Sequence, residues 1–334
     1  MSVISVPDHR VTAMHEWLSG IFPTPKFSVV PLAGDASFRR YFRAIVGDQH
    51  YVVMDAPPEK ESCAPFVAVA KAFEKSTVRF PSIFSADLER GFLLLSDFGD
   101  RQLLPLLNNH SVDQLYCSAM DALLPIQSRD RIPDYHLPYF DADLYWREFD
   151  IFDTWYLKKN LHQSLSAADE ALLKNSYQLL IDSAQSQPQV FVHRDYHSRN
   201  IMLCSDNQLG ILDFQDAVFG AITYDLVSLL KDCYIAWPDH QVEKWVLYFY
   251  QHLNLSVDFK TFMRWFDLMG LQRHIKCLGI FSRLHYRDHK NGYLKEIPRV
   301  LNYAVKVCDK YPELHLLSHI LVRETRASAS DVRP

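Results

Sequence analysis

The residues best suited to chemistry lie in one segment, 191–217, which reads FVHRDYHSRNIMLCSDNQLGILDFQDA. Asp195 stands in an H-R-D-x-x-x-x-N pattern that ends at Asn200, and Asp213 follows a turn-prone stretch flanked by apolar residues. Phosphoryl transfer needs a carboxylate that orients the attacking hydroxyl and accepts its proton, and ligands for the metal that bridges the phosphates. Asp195 is the candidate base. The oxygens of Asn200 and Asp213 are candidate ligands of Mg²⁺, which prefers oxygen.

The elements that must position these residues change character near residue 99. Before it, short apolar or alternating runs predict five strands around one helix, and after it helical periodicity dominates. The predicted strands are 27–33, 38–46, 50–55, 82–87 and 91–96, with a helix at 64–75. The predicted helices are 111–128, 143–158, 166–186 and long stretches from 224, interrupted by a hairpin within 200–214. Strands followed by helices predict two α+β lobes, which we divide into 1–97 and 98–334.

Composition narrows the class of protein. The chain has 334 residues, of which 48% are hydrophobic and 22% charged, and a net charge of −5 that argues against a general nucleic-acid binder. Its six cysteines are scattered without a C-x-x-C pair, so a reducing cytoplasm is expected. The N-terminal apolar run is interrupted by polar residues, and no stretch reaches the ~20 apolar residues that span a bilayer. We expect a cytoplasmic protein with no nucleic-acid, membrane or obligate protein partner.

Segment 191–217 resembles the aminoglycoside phosphotransferase (phosphotransferase enzyme) family, which shares the protein-kinase-like fold. The similarity runs from about residue 28 to 310. It implies a small β-rich N-terminal lobe that binds ATP, or GTP, and a larger, mainly helical C-terminal lobe that binds the acceptor. By this resemblance Asp195 is the catalytic base, and Asn200 and Asp213 hold Mg²⁺. The run Tyr224-Asp225-Leu226 is also similar to the family's helix start, where Asp225 is expected to be a helix N-cap.

Two further segments are candidates for the nucleotide site. Small residues join the first two predicted strands, which lets backbone N–H groups approach phosphate oxygens; they are Gly34, Asp35, Ala36 and Ser37. The run 97–99 spells the metal-binding D-F-G of kinases but lies about a hundred residues before the catalytic loop, which a metal-binding D-F-G must follow. In the family this position is the hinge that holds the adenine through its backbone, which implies a role for Ser96 and Phe98.

One departure from the kinase pattern concerns the phosphates. Where kinases have V-A-I-K, the predicted strand reads Tyr51-Val52-Val53-Met54, and the helix at 64–75 has no mid-helix Glu. The phosphate charge must then be met by another basic residue, and the candidates are Arg39, Arg40, Arg43 and Lys60. Strand alternation places Arg39 and Arg43 on one face and Arg40 on the other. We assign Arg43 to the nucleotide.

Two segments are candidates for the acceptor site. The predicted helix 143–158 combines aromatic residues with carboxylates, which suits sugar hydroxyls, but its aromatic residues at helical spacing are also typical of a core stripe. Segment 272–295 holds six Lys or Arg and three His against one Asp, and the alternative is a solvated basic face. From these segments and the catalytic loop we take four candidate acceptor residues: Glu148, Arg199, Arg273 and Arg283.

Three runs are similar to one subgroup of the family, the anomeric kinases of N-acetylmuramate and N-acetylglucosamine in bacterial cell-wall recycling. They are DASFRRYF, VVMDAPPEKE and LDFQDAVFGAITYDLVSLLKD. This subgroup also departs from V-A-I-K, and the resemblance implies phosphorylation of an anomeric sugar hydroxyl. One alternative is an aminoglycoside kinase, whose polycationic substrate a basic 272–295 face would oppose. Another is a nucleotide-binding pseudokinase that acts as an interaction module, which only the missing lysine supports.

Overall fold

The computed structural model describes residues 8–32 and 38–323. The chain forms two compact units. The first holds the described residues up to Arg101 together with Ile132–Tyr135 and Met202–Gln215, and the second holds the described remainder. A sheet dominates the first unit and helices dominate the second. This is the protein-kinase-like α+β architecture that the sequence predicts.

The first unit is built on a five-stranded antiparallel sheet in the order β1-β2-β3-β5-β4. Its elements are α1 (His9–Ile21), β1 (Ser28–Pro31), β2 (Arg40–Val46), β3 (Gln49–Asp55), α2 (Ala64–Phe73), β4 (Ile83–Asp87) and β5 (Phe92–Ser96). The five strands and α2 lie within two residues of their predicted bounds, because alternating and apolar runs mark them clearly.

The sequence analysis missed helix α1. The helix begins after Asp8, whose carboxylate accepts the N–H of Arg10 at 3.0 Å. Only Met14 and Leu18, one turn apart, are fully buried in it. They pack on one face of the sheet with Phe42, Ala44, Val53, Phe92 and Leu94. Two buried positions give a weak periodic signal, and the apolar sheet face supplies the stabilisation that the sequence pattern does not reveal.

Four short strands follow, and they form two antiparallel pairs. They are β6 (Gln189–Val192), β7 (Ile201–Leu203), β8 (Leu209–Ile211) and β9 (Val218–Ala221). β6 pairs with β9 in the second unit, and β7 with β8 forms the predicted hairpin. The hairpin belongs to the first unit: Leu203 N–H donates to the Arg101 carbonyl at 2.7 Å and Ile211 N–H to the Arg79 carbonyl at 2.8 Å. A division at residue 97 places it in the C-terminal lobe instead, because long-range backbone bonds leave no mark in the local sequence.

The second unit is helical around one long central helix. Its helices are α3 (Val112–Gln127), α4 (Ala142–Ile151), α5 (Ala167–Gln185), α6 (Tyr224–Leu230), α7 (Asp239–Gln251), α8 (Phe259–Tyr286), α9 (Ile297–Lys310) and α10 (His315–Val322). The predicted helix 143–158 changes geometry, since a π-helical segment, Phe152–Asn160, continues α4. Helix α8 passes this segment closely, and a Cβ at Gly279 would lie 2.6 Å from the Phe152 nitrogen. Only glycine permits that approach.

The aromatic stripe predicted in 143–158 is core. Its four rings are at most 1% exposed: Tyr145, Phe149, Phe152 and Tyr156. They therefore cannot contact an acceptor. Within the residues that the structure describes, no helix is both long enough and apolar enough to cross a membrane.

Candidate active site

The loop that carries Asp195 leaves strand β6 and is fixed by a buried carboxylate. Asp225, the second residue of α6, is 0% exposed and accepts the backbone N–H of His193 at 2.7 Å and of Arg194 at 3.0 Å. Arg194 has a left-handed backbone with φ 76°, a conformation that costs about 1–3 kcal/mol and persists where surroundings impose it. Asp225 therefore shapes the catalytic loop. The expected role as helix N-cap is wrong, since Thr223 occupies that position.

A second carboxylate fixes the other side of the loop. Asp232, which is 1% exposed, accepts the backbone N–H of Ser198 at 3.0 Å and also its hydroxyl. Within the loop, the Asn200 side-chain N–H donates to the carbonyl of Asp195 at 3.0 Å. These contacts hold the loop that carries Asp195 in one conformation.

Three cationic side chains, Lys276, Arg273 and Arg194, act on the carboxylate of Asp195. Its side chain is 39% exposed, and the Arg273 guanidinium lies 4.0 Å from one oxygen. Burial raises the pKa of Asp195, but Lys276, His197 and Arg273 lower it, and the net pKa lies below its ordinary value. The carboxylate is therefore ionised at neutral pH and can accept a hydrogen bond from an attacking hydroxyl.

Arg273 and Lys276 are not part of a solvated basic face. They are 3% and 7% exposed, so the alternative of a solvated basic face is wrong for this part of α8. Arg273 donates to the Arg194 carbonyl at 3.2 Å and lies 4.9 Å from the centre of the Tyr224 ring, and Lys276 donates to the Tyr224 hydroxyl at 3.1 Å. Farther along α8, Arg283 is half-buried, and burial lowers its pKa.

Glu148 is the counter-charge beneath this cluster. It is 3% exposed, and its carboxylate accepts from Arg194 at 2.7 Å, from Gln272 at 2.8 Å and from Lys276 at 3.1 Å. Burial raises its pKa, but Lys276 and Arg194 outweigh it and hold the pKa below its ordinary value. Because protein donors use both oxygens, the geometry gives Glu148 a positioning role. Its predicted contact with the acceptor stays a prediction.

Arg199 lies on the aromatic side of the loop. Its guanidinium stacks 4.6 Å from the centre of the Tyr234 ring, and His197 contacts the same ring edge-on at 5.4 Å. The ring of Phe281 on α8 lies next, 6.4 Å from Tyr234 and 5.4 Å from Tyr293. The predicted acceptor role of Arg199 stays a prediction.

The candidate metal ligand Asp213 lies in the first unit, whereas Asn200 lies in the second. Asp213 has φ 63°, and its carboxylate accepts the Gln215 side-chain N–H at 2.8 Å. The neighbouring Phe214 ring is 4.6 Å from Phe66 of α2, which anchors Asp213 to that helix. The side chains of Asn200 and Asp213 each offer an oxygen of the kind that Mg²⁺ prefers, and their predicted joint role as metal ligands stays a prediction.

The predicted nucleotide residues fall into three groups. Gly34, Asp35, Ala36 and Ser37 lie outside the described residues. Arg43 pairs with Asp97 at 2.5 Å and with Asp100 at 2.9 Å, so the early D-F-G run supplies a partner for this arginine. Ser96 accepts the Ser82 N–H through its hydroxyl at 3.0 Å. The ring of Phe98 covers Gly210, where a Cβ would lie 2.4 Å from it.

Ser96 and Phe98 also line a cavity of about 630 Å³ in the first unit. Its other lining residues come mainly from α2, the segment after it and the β7–β8 hairpin. Neither Arg43 nor Asp213 contacts this cavity. We therefore do not assign it to the phosphates of a nucleotide.

The sequence analysis missed Asp225 as a loop anchor and did not consider Asp232. Both carry a detectable signal, since they flank an apolar run, LVSLL at 226–230, in which every residue is buried. A carboxylate in such a run is strongly destabilising unless donors satisfy it, so its presence predicts nearby N–H groups.

A β-rich unit, an H-R-D loop held by buried carboxylates and a following hairpin define a protein-kinase-like phosphotransferase. A model of the phosphotransferase enzyme family matches residues 28–256. The chain belongs to that family, as the sequence analysis predicts, and is a phosphotransferase.

Similar proteins agree with this assignment. The N-acetylmuramate/N-acetylglucosamine kinase of Pseudomonas putida is 43% identical over 311 residues, which cover 91% of this chain and 90% of the relative. Choline kinase LicA of Streptococcus pneumoniae matches in structure with a TM-score of 0.64 at 14% identity, covering 90% of this chain and all of that one. An ADP-bound aminoglycoside phosphotransferase, APH(2'')-Ib, matches with a TM-score of 0.59 at 16% identity, over 88% and 98%. At such identities the two structures show the fold alone.

Proposed function

We propose that the protein transfers the γ-phosphate of ATP to the anomeric hydroxyl of N-acetylmuramate or N-acetylglucosamine. The observation that carries the acceptor is the 43% identity, over 91% of the chain, to a kinase named for these two sugars. The ADP in the structure of the related fold supports an adenine nucleotide as donor, and we propose ATP rather than GTP. We place the enzyme in the cytoplasm, where its six free cysteines stay reduced.

In this proposal Asp195 orients the sugar hydroxyl and accepts its proton. An anomeric hydroxyl is more acidic than an ordinary alcohol, which suits a carboxylate whose pKa is held low by Lys276, His197 and Arg273. Asn200 and Asp213 would hold Mg²⁺, which supplies charge neutralisation on the phosphates. The positions fixed by Asp225 and Asp232 keep the base still while the hydroxyl attacks.

Charge near Asp195 favours an anionic or neutral acceptor over a polycation. Arg273 and Lys276 lie beside the base, and Arg199 stacks on Tyr234 along the same loop. Like charges brought together in a cleft cost several kcal/mol. A carboxylate-bearing sugar such as N-acetylmuramate gains from these cations, whereas an aminoglycoside is repelled. This argument favours the sugar kinase over the aminoglycoside kinase, and the retained base argues against a pseudokinase.

The test is a magnesium-dependent ATP turnover assay with N-acetylmuramate, N-acetylglucosamine and kanamycin, using Asp195→Asn as the inactive control. Phosphorus NMR of the product locates the phosphate. We expect a sugar 1-phosphate and negligible turnover of kanamycin. A sugar 6-phosphate, or efficient phosphorylation of kanamycin, would refute the acceptor while leaving the phosphotransferase assignment intact.

A further inference from the structure

Three arginines, one immediately before β2 and two within it, have different carboxylate partners. Arg40 pairs with Asp55 at 2.5 Å, and Asp55 is also bound by Arg10 of α1. Arg43 is held by Asp97 as described above. Arg40 therefore lies on the face of the sheet that α1 covers, and Arg43 contacts the segment after β5.

Arg39 lies apart from these two arginines. Its guanidinium nitrogen Nε is 2.8 Å from Glu61, and the two side chains are only 10% and 20% exposed. Glu61 immediately precedes the segment that leads into α2. A largely buried ion pair of this kind holds its arginine in one orientation, since both charges must stay paired when they are removed from water.

The Arg39–Glu61 pair and Asp213 act on the same phenol, that of Tyr41. Burial raises the pKa of this phenol, Asp213 and Glu61 raise it further, and Arg39 lowers it. All three charged groups therefore influence one side chain of the first unit. By strand alternation residues 39 and 41 point to the same side of the sheet, whereas Phe42, the residue after Tyr41, points into the α1 core on the other side.

This is also the face on which the kinase lysine is absent. In the β2–β3 register Tyr41 lies opposite Met54, the residue at the place of the lysine in V-A-I-K. Met54 is fully buried and uncharged. Arg39 thus supplies a positive charge on the same face of the sheet as the uncharged Met54. Its carboxylate partner, Glu61, comes from the segment just before α2.

We propose that Arg39, held in place by Glu61, binds the phosphates of the nucleotide and replaces the missing strand lysine. Arg39 is the phosphate-binding residue and Glu61 the positioning residue, in preference to the predicted Arg43. A guanidinium presents its N–H donors in a planar fork whose geometry matches phosphate oxygens. The proposal rests on the proposed function only in requiring a nucleotide donor.

The test measures nucleotide affinity without any acceptor. Isothermal titration with MgATP, MgADP, AMP and adenosine is compared for the wild type, Arg39→Gln and Arg40→Gln. We expect Arg39→Gln to weaken MgATP binding by about 10- to 100-fold, the usual range for a lost charge-assisted hydrogen bond, and adenosine binding by less than about twofold. Arg40→Gln, the matched loss of a β2 arginine, should leave the ratio of MgATP to adenosine affinity unchanged.

Two further variants separate phosphate binding from a structural role. Glu61→Gln should weaken MgATP by a smaller factor than Arg39→Gln and spare adenosine, and Arg39→Lys should restore part of the affinity. If Arg39→Gln fails to fold, the MgATP-to-adenosine ratio of these two variants decides. An unchanged ratio in the Arg39 and Glu61 variants, equal losses for adenosine and MgATP, or a phosphate-specific loss in Arg43→Gln instead would overturn the proposal. None of these results depends on which acceptor the wild type phosphorylates, so the two proposals fail separately.

Discussion

Replacing Glu148 by glutamine tests whether this carboxylate neutralises buried cations or binds the acceptor. The substitution keeps the shape of the side chain and removes one charge from a group that is 3% exposed. Arg194 and Lys276 would then share a neutral amide, and one amide N–H would face a cation. Removal of one partner from a buried ion pair typically costs about 3–5 kcal/mol. At roughly 2–4 °C per kcal/mol for a chain of this order of size, Tm should fall by about 6–20 °C.

The matched control is Asp150→Asn, which removes the same charge from an exposed position of α4. Exposed substitutions of this kind stay within about 0.5 kcal/mol. Calorimetry or denaturant unfolding measures both variants, and sugar kinetics measure KM and kcat. A Glu148→Gln variant with wild-type Tm and a raised sugar KM alone would refute the positioning role and favour direct acceptor contact.

The pH dependence adds an independent check. The pKa of Glu148 is below its ordinary value of 4.5 in the folded state, so its contribution to stability is complete above that value and is lost as acid protonates it. The stability gap between wild type and Glu148→Gln should therefore be constant from about pH 6 to 8 and narrow only in acid. A gap that closes already at neutral pH would contradict this account.

Three further predictions concern the second unit, which holds Asp195, Arg273 and His274. Asp195→Asn should lower turnover by roughly 10²–10⁴ with nucleotide affinity nearly unchanged, measured by steady-state kinetics and titration. Arg273→Ala should reduce kcat/KM for N-acetylmuramate more than for N-acetylglucosamine, and an equal loss for both would exclude recognition of the sugar carboxylate. Burial lowers the pKa of His274 from 6.5 to about 3, so the unfolded state binds the proton first and stability falls as pH drops below 6.5. Between pH 7 and 5 the wild type should lose about 2 kcal/mol that His274→Gln does not lose, as chemical unfolding at the two pH values would show.

The fold and the core of the candidate site were predictable because their signals are local. Strand alternation set β1 to β5, and the spacing of Asp195, Asn200 and Asp213 around a short hairpin indicated phosphoryl transfer without any structure. This prediction depends on the residue types and their order within one segment of 23 residues, 191–213. Chemistry that a contiguous segment supplies can be read from that segment.

The parts that could not be predicted depend on contacts between residues far apart in sequence. Glu148 meets Lys276, 128 positions away, and neither segment alone distinguishes a buried pair from a solvated charge. The basic run 272–295 was ambiguous for this reason. The middle of α8 is buried on nearly all sides, which turns Arg273 and Lys276 inward, whereas Arg287, just after the helix, pairs with Asp288 at the surface. Hydrophobic periodicity identifies the apolar face of a helix. Because the middle of α8 is buried on nearly all faces, the pattern does not tell which of its charged residues are buried.

A carboxylate base can lie beside the buried cations of α8 because their opposite charges largely compensate one another. Asp195 and Glu148 provide two negative charges against Arg194, Arg273 and Lys276, which leaves one positive charge in excess before Asp225 is counted. Burial raises the pKa of Asp225 to about 7, which makes its own charge the most variable of the set. Loss of the Asp195 charge would leave these three cations with Glu148 alone as counter-charge, so the excess would rise to two positive charges. The cations thus keep Asp195 ionised, and under the proposed function the same positive charges would favour an anionic acceptor.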